Sequence, residues 1–414
     1  MLIAQLADIH LGHRQYGLDE RLEDYNRAFL SAVDELVRLR EERGLDTVVI
    51  SGDFFDTQRP SPSIYITAIR GLARLREAGI RVIAIRGNHD SSVINPVENP
   101  LAVLHQMGLI QYLDNNYVDL GEVRVIGVGT VYTDMQNRLI NSLNALRGGG
   151  INIAVIHQYI EGAPYIYPMP NVDVFMINEK PLAQLDIDYF AVGHIHEHEL
   201  RHPRINAVYP GSLEIWDARE FEVYEYSNGK LRKVKDLDPK GFLLLDVGGN
   251  GVKVSGVRLG VSRRLIRVRV KYDEAKPSVV RSDVAYIASN MDQRGSLIIL
   301  EVEGRVAGGY STRDFNANAL RKLFSRAWVD VRLSLERQVG GGERSVRVFG
   351  GINEIIRQAL RSRLGNDELV GVVMDIIERV RADDEDGALK VLENLVGVPL
   401  RGSKSITDWL GVQK

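Results

Sequence analysis

RVIAIRGNHD, residues 81–90, sets a short apolar run directly before a glycine and then three side chains that bind metals or move protons. An apolar run of this length, bounded by glycine, reads as a buried strand. Working outward, TVVISGD at 47–53, LIAQLADIH at 2–10, INIAVIH at 151–157 and IDYFAVGHIH at 187–196 have the same form. Amphipathic helices are expected between the first three, from about Asp24 to Arg43, with Phe29, Val33, Leu36 and Val37 at helical spacing, and from Pro62 to about Gly79. Alternation of strand and helix implies βαβ units and an α/β fold with buried sheets. EVRVIGVG at 122–129 and NAVYPGS at 206–212 add strands, and the first domain is expected over residues 1–239.

Beyond Pro239 the pattern changes. KGFLLLDV at 240–247, RRLIRVRVKY at 263–272, a helix from about Thr312 to Arg326 and the strand AWVDVRLSL at 327–335 predict a small α+β domain over 240–338. Gly340 to Gly342 reads as a linker. A C-terminal helical module is expected over 345–399, on Ile352, Ile355, Ile356 and Leu360 and then on Leu369, Val370, Val373 and Ile376, with a tail over 400–414.

With 414 residues, a net charge of −3 and no cysteine, the composition excludes a disulfide scaffold, a zinc ribbon and a thiol nucleophile. Metal ligands must therefore be His, Asp, Glu or Asn. Affinity for a polyanion would need local clusters of Lys and Arg. The N-terminus lacks the regions of a signal peptide, and no apolar run reaches the roughly 18 residues of a membrane span. The expectation is a soluble cytoplasmic, nucleoid-associated protein with no membrane contact.

Metal-type side chains stand where five strands end: Asp8 and His10; Asp53; Asn88, His89 and Asp90; His157; His194 and His196. In open α/β sheets the ligand crevice lies beyond the carboxyl ends of the strands, so residues distant in sequence converge there. On extended backbone, i and i+2 share a face, which would pair Asp8 with His10 and His194 with His196. Glycines before Asp53, Asn88 and His194 would allow tight turns. Seven oxygen and imidazole ligands exceed one ion's needs and suit two hard or borderline ions such as Mn²⁺, with Asp53 as the bridge. The chemistry expected is phosphoester hydrolysis by an activated water. His89 would act on the leaving oxygen and Asp90 would orient or charge its imidazole. One Asp or His at a strand end is ordinarily a cap, but a purely structural protein has no reason to aim so many ligands at one edge. His105 reads as structural, His198 and His202 as loop or surface residues, and His13 as close enough to approach the site.

The order DxH, GD, GNHD, H and GHxH resembles the calcineurin-like metallophosphoesterases. ADIHLG, GDFFDTQRPSP, HQYIEGA and GHIH followed by YPGSLEIWD resemble, within them, the Mre-eleven/SbcD family of DNA double-strand-break nucleases, specifically over residues 1 to about 245. The resemblance implies a metallophosphoesterase sandwich, its sheets flanked by helices, with a DNA-capping domain entered at KGFLLLDV. It implies two Mn²⁺ ions, one on Asp8, His10, Asp53 and His196 and the other on Asp53, Asn88, His157 and His194, with His89 catalytic. Asp56 departs from the histidine common in archaeal and eukaryotic members. Implied partners are double- and single-stranded DNA ends, a Rad-fifty/SbcC-type ABC ATPase docking on the C-terminal helices, and a second copy of the chain. Pro62 to Leu75, through Ile64, Ile66 and Ile69, could supply that dimer face or simply cover the sheet. Arg14, Arg59, Arg201 and Arg204 follow metal motifs and could reach phosphates. Arg267, Arg269 and Lys271 share one strand face and are either DNA contacts or an ordinary solvated surface. The rival functions are a small-molecule phosphodiesterase of the cyclic-nucleotide type, a non-cutting DNA-bridging scaffold for the ATPase, and a protein phosphatase.

Overall fold

The computed structural model describes residues 1–91, 99–130, 134–165, 176–249, 251–261, 263–337, 370–376 and 391. The described chain forms two units, residues 1–222 with 236–264, and residues 223–235 with those from 265 onward.

In the first unit, β1 (Leu2–Leu6), β2 (Thr47–Ser51), β3 (Arg81–Ile85) and β4 (Gln111–Tyr112) pair in parallel in that order. Helices α1 (Asp19–Arg43), α2 (Pro62–Glu77) and α3 (Pro100–Gln106) are the crossovers. Then come β5 (Asn116–Leu120), β6 (Val123–Val128), α4 (Met135–Leu146), β7 (Ile151–His157), β8 (Tyr159–Ile160), β9 (Met176–Ile177), α5 (Glu179–Ala183), β10 (Tyr189–Gly193), β11 (Leu200–Arg201) and β12 (Ala207–Tyr209). They build a second sheet ordered β11-β12-β10-β7-β6-β5 and a small β8-β9 ladder.

The sheets pack face to face. Ile3, Val49 and Ile83 of the first meet Val125, Ile153 and Val155 of the second in one core. The outer face of the first sheet is covered by Phe29, Val33 and Leu36 of α1 and by Ile64, Ala68 and Leu72 of α2, and that of the second by Leu139 and Leu143 of α4 and Leu182 of α5. A polar side chain in the inner layer must find partners there. Gln5 does so by donating to the Val208 carbonyl at 3.0 Å and accepting from the Tyr189 hydroxyl at 2.6 Å, which ties the two sheets together.

α1 begins at Asp19, five residues before its apolar periodicity does, because its first turn is acidic and its next inward residues, Arg21 and Asp24, are buried in a polar network. On α2, Ile64 is buried and Ile69 packs against the same core, so both cover the sheet; Ile66 is 58% exposed.

A correction concerns the domain boundary. KGFLLLDV does not open the second domain: β13 (Glu222–Ser227) and β14 (Lys230–Lys235) belong to the sheet of the second unit, while β15 (Lys240–Gly248) returns to pair antiparallel with β1. β16 (Gly251–Leu259) completes a first sheet ordered β16-β15-β1-β2-β3-β4, and the first unit closes at Arg264 instead of Pro239. The physical reason is that β1 exposes an unpaired edge, which β15 covers with the apolar run Phe242–Leu245.

The second unit has a sheet ordered β14-β13-β17-β18-β19, with β17 (Leu265–Ala275), β18 (Leu297–Val306) and β19 (Trp328–Arg337) mutually parallel. α6 (Pro277–Met291) crosses between β17 and β18, and its Val280, Val284 and Ile287 join the core. Asp283 on α6 accepts from the Tyr226 and Tyr272 hydroxyls, both at 2.8 Å. The helix expected over Thr312–Arg326 is instead a single 3₁₀ turn, Thr312–Asp314, and the short α7 (Ala317–Arg321). Of the expected C-terminal helices, residues 370–376 are helical with Val370 and Met374 buried; the linker, the rest of that module and the tail lie outside the described residues. Among the described residues no helix is long and apolar enough to cross a membrane.

Candidate metal centre

The candidate ligands meet beyond the ends of β1, β2, β3, β7 and β10, but the backbone brings them there differently from the expectation. Asp8 (φ 51°), His10 (φ 47°), Asp53 (φ 50°) and His194 (φ 96°) have left-handed or related positive-φ backbone, not extended backbone, so the i, i+2 argument for a shared face does not apply. Such conformations are costly for non-glycine residues and persist only where the surroundings impose them. Here the β1 and β2 tips are laced together: Asp8 N–H donates to the Gly52 carbonyl at 3.1 Å, His10 N–H to Asp53 at 3.0 Å and Leu11 N–H to Phe54 at 2.9 Å.

The glycines are needed mainly for close approach. A Cβ on Gly87 would lie 2.0 Å from Asp53 Oδ1, and one on Gly193 would lie 2.0 Å from the Ser51 carbonyl and 2.7 Å from His157 Nδ1. Gly52 combines both needs, with φ +90° and His157 Nδ1 at 2.4 Å from a Cβ.

Two groups share one carboxylate oxygen. Asp53 Oδ2 is 3.7 Å from His10 Nε2 and 3.2 Å from His157 Nε2, while its Oδ1 accepts from the His89 N–H at 2.8 Å. On one side, His10 Nε2 and His196 Nε2 are 3.3 Å apart, with Asp8 Oδ1 at 4.0 and 3.6 Å. On the other, Asn88 Oδ1 is 3.1 Å from both His157 Nε2 and His194 Nδ1. His157 Nδ1 donates to the Ser51 carbonyl at 2.8 Å, which turns Nε2 inward.

Burial pushes Asp8 up to about 7. Burial would also raise Asp53, but His157 and His89 outweigh it and hold the carboxyl well below its ordinary value. Burial lowers His10 to about 4 and His194 to about 3, whereas at His157 the opposing pull of Asp53 prevails and holds it up to about 9. Buried carboxylates facing imidazole nitrogens and an amide oxygen form a cradle of lone pairs. Those residues fit divalent cations with oxygen and nitrogen preferences, and the His/Asp triads Asp8–His10–His196, His10–Asp53–His89 and Asp8–Asp53–His157 each have ligand atoms within 4.8 Å of one another.

His89 is 32% exposed at the rim, and its Nδ1 donates to the Asp56 carbonyl at 2.9 Å. The orienting role expected of Asp90 therefore falls to Asp56. Asp90 is fully buried and accepts from the N–H groups of Phe54 at 2.9 Å, Phe55 at 2.7 Å and Gly87 at 3.2 Å, so it fixes the loops that carry Asp53 and Asn88. Burial and Asp53 push its own carboxyl up to about 7, and it contributes to raising His89 only after Asp53 and Asp56.

Two residues not singled out from the sequence complete the centre. The Trp216 ring lies 4.3 Å from His10, 4.1 Å from His13 and 4.8 Å from His196, centroid to centroid. Its segment is held by Arg21, which donates to the Ile215 carbonyl at 2.8 Å and pairs with Glu214 and Asp24. Lys240 is buried, pairs with Glu220, and donates to the His196 carbonyl at 2.8 Å and to Ser212 Oγ at 2.9 Å. A lysine opening an otherwise apolar strand, and a tryptophan in a polar loop, were the available signals.

The remaining candidates are not among these ligand groups. Arg14 pairs with Asp19, Arg201 with Glu199 at 2.7 Å, Arg204 with Glu179 at 2.6 Å and Arg267 with Glu301 at 2.8 Å, with Arg269 3.6 Å from the same glutamate. Arg59 is exposed. His105 reaches the Ile110 carbonyl at 3.2 Å. His198 and His202 lie in loops, as one of the two expectations had it, but they bond the Pro210 and Glu161 carbonyls, both at 2.8 Å, and His202 is buried, because β11 and β12 fold that loop back onto the unit.

Comparison with known proteins adds lineage to this geometry. A family model described as calcineurin-like phosphoesterase matches residues 1–198. The chain is 30% identical over 298 residues to a DNA double-strand break repair protein Mre11 from Sulfurisphaera tokodaii, covering 66% of this chain and 71% of that one. A protein of the same description from Methanocaldococcus jannaschii is 28% identical over 66% of this chain and 70% of its own length. One from Sulfolobus acidocaldarius is 25% identical over 96% of this chain and 99% of its own.

Proposed function

The chain belongs to the Mre11 family of calcineurin-like phosphoesterases, and we propose on that premise that it is a Mn²⁺-dependent nuclease that processes DNA ends in double-strand-break repair. The carrying observation is the Asp53 carboxylate shared between two nitrogen- and oxygen-rich clusters, with the partly exposed His89 imidazole beside it. Asp8, His10, Asp53 and His196 would hold one ion, and Asp53, Asn88, His157 and His194 the other. When bound, the ions supply an activated water and positive charge for the phosphodiester.

The chain's own residues provide the proton and the alignment. His89 keeps Nδ1 on the Asp56 carbonyl, which leaves Nε2 for the substrate. Burial would lower its pKa, but Asp53 and Asp56 outweigh burial and raise it, which favours the protonated form that can give a proton to the leaving oxygen. The ABC-type ATPase and a second copy of the chain are the partners in this reading, which rests on the family resemblance and on the amphipathic C-terminal sequence.

The test is cleavage of labelled linear and single-stranded DNA in Mn²⁺, Mg²⁺ or EDTA by wild type and His89→Leu. We expect Mn²⁺-dependent cutting that falls by about 10²-fold or more in the variant, the scale of a general acid, while calorimetry shows Mn²⁺ still bound. Turnover of a small phosphodiester with no cutting of either DNA would replace this reading with a small-molecule phosphodiesterase.

A further inference from the structure

His13 has no task in the chemistry above, yet it is held with care. Its Nδ1 lies 3.0 Å from Asp56 Oδ1, its ring stacks on Trp216 at 4.1 Å and 25°, and its face meets the edge of Tyr25 at 4.9 Å. The side chain is 20% exposed, and among the described residues its Nε2 has no hydrogen-bond partner. An ionised carboxylate only accepts, so Nδ1 must be the donor to Asp56 and Nε2 is the atom turned outward. The ring centroid is 6.4 Å from that of His10, beside the ligand cluster and outside it.

We propose that His13 is a substrate contact, gripping through Nε2 an oxygen of a phosphate that flanks the one being cut. The inference rests on the nuclease reading. A phosphate oxygen only accepts, so the contact uses Nε2 as the donor while Nδ1 keeps Asp56. The ring needs no reordering, because the tryptophan and the carboxylate already fix it. Of the arginines that follow the metal motifs, Arg14 is paired with Asp19 and Arg201 and Arg204 with glutamates, while Arg59 is exposed. Asp56 thereby faces three imidazoles: its carbonyl takes His89, and its Oδ1 lies 3.0 Å from His13 Nδ1 and 3.5 Å from His10 Nδ1. A residue that only buttressed Asp56 and Trp216 would need no second nitrogen at the surface.

The experiment compares the full chain in Mn²⁺ with His13→Phe, which keeps the stack and loses both nitrogens, and His13→Gln, whose amide restores a donor near Nε2. Substrates are a single-stranded oligonucleotide and bis(p-nitrophenyl) phosphate, whose single phosphate has no flanking neighbour. We expect His13→Phe to raise KM on the oligonucleotide about tenfold, as for loss of one hydrogen bond to a charged group, with kcat within about twofold. Turnover of the small diester and Mn²⁺ affinity should not change, and His13→Gln should recover most of the KM. An unchanged oligonucleotide KM overturns the proposal, as does a parallel loss on both substrates or weakened Mn²⁺ binding, either of which makes His13 a buttress. Should wild type turn over the diester and not the oligonucleotide, the nuclease reading fails without any variant, and the His13 contact falls with it.

Discussion

Asp8 and Asp53 are buried beside the same histidines and respond in opposite ways. Burial lifts Asp8 to about 7, while Asp53 stays ionised because His157 and His89 outweigh burial. His157 answers in kind, held up to about 9 by Asp53 against burial. Without a cation, protons do part of a cation's work. Both raised groups favour the protonated form, so in the ion-free protein their stabilisation is present at low pH. It is lost as pH rises from Asp8's ordinary value of 3.8 through about 7, and from His157's 6.5 through about 9. Mn²⁺ must displace the same protons. Its affinity should therefore strengthen from pH 6 to 8, with protons released on binding, as read by calorimetry in buffers of different ionisation enthalpy. Affinity that is flat across that range, with no proton release, would contradict the assignment. The residue types and their order were legible in the sequence; the positive φ values at Asp8, His10, Asp53 and His194 were not, because no local propensity announces a conformation imposed by hydrogen bonds between two strand tips.

Lys240 shows what an element can hide. At the head of β15 it reads as the polar edge of an apolar strand, and only the pairing of β15 with β1 carries its ammonium under the loop of His196. There it is 1% exposed and bound to Glu220. Lys240→Met should cost about 3–5 kcal/mol in denaturant unfolding, the cost of stranding one member of a buried pair, and Lys240→Met with Glu220→Leu should recover much of it. A loss below about 1 kcal/mol in the single variant would mean that the pair contributes little. The same dependence on distant partners explains the misplaced boundary: the apolar run of β15 marks a strand, but nothing within it names the sheet it joins. α6 was unreadable for a local reason. Its buried positions Val280, Val284 and Ile287 are interleaved with Val279 and Tyr286, which are 44% and 42% exposed, so the apolar stripe is blurred. Without α6, the parallel order of β17, β18 and β19 could not be inferred.

At the scale of the whole molecule, the question is how a chain of net charge −3 holds a polyanion. The arginines that sequence position recommended are largely neutralised by acids. The β17 face typifies this. Arg267, Arg269 and Lys271 stand with Glu301, Glu303 and Asp330 on neighbouring strands, and Glu301 serves two of the arginines. Such a surface has little field to offer DNA. Binding would then lean on the metal centre and a few contacts such as His13 and Arg59, not on a broad basic track. Each neutralised phosphate adds about 0.9 to the slope of log affinity against log salt. With two or three contacts, affinity of the Mn²⁺-free chain for a duplex should fall only about 10- to 40-fold between 50 and 200 mM salt, against the roughly 10³-fold or more of a protein with six or more contacts. Fluorescence anisotropy titrations at graded KCl measure this directly, and Arg267→Glu with Arg269→Glu should leave the slope unchanged. A slope steeper than about −5, or one that flattens in the double variant, would show that the ion-paired arginines exchange their carboxylates for phosphates when DNA arrives, and that the acids are gatekeepers of a latent basic surface.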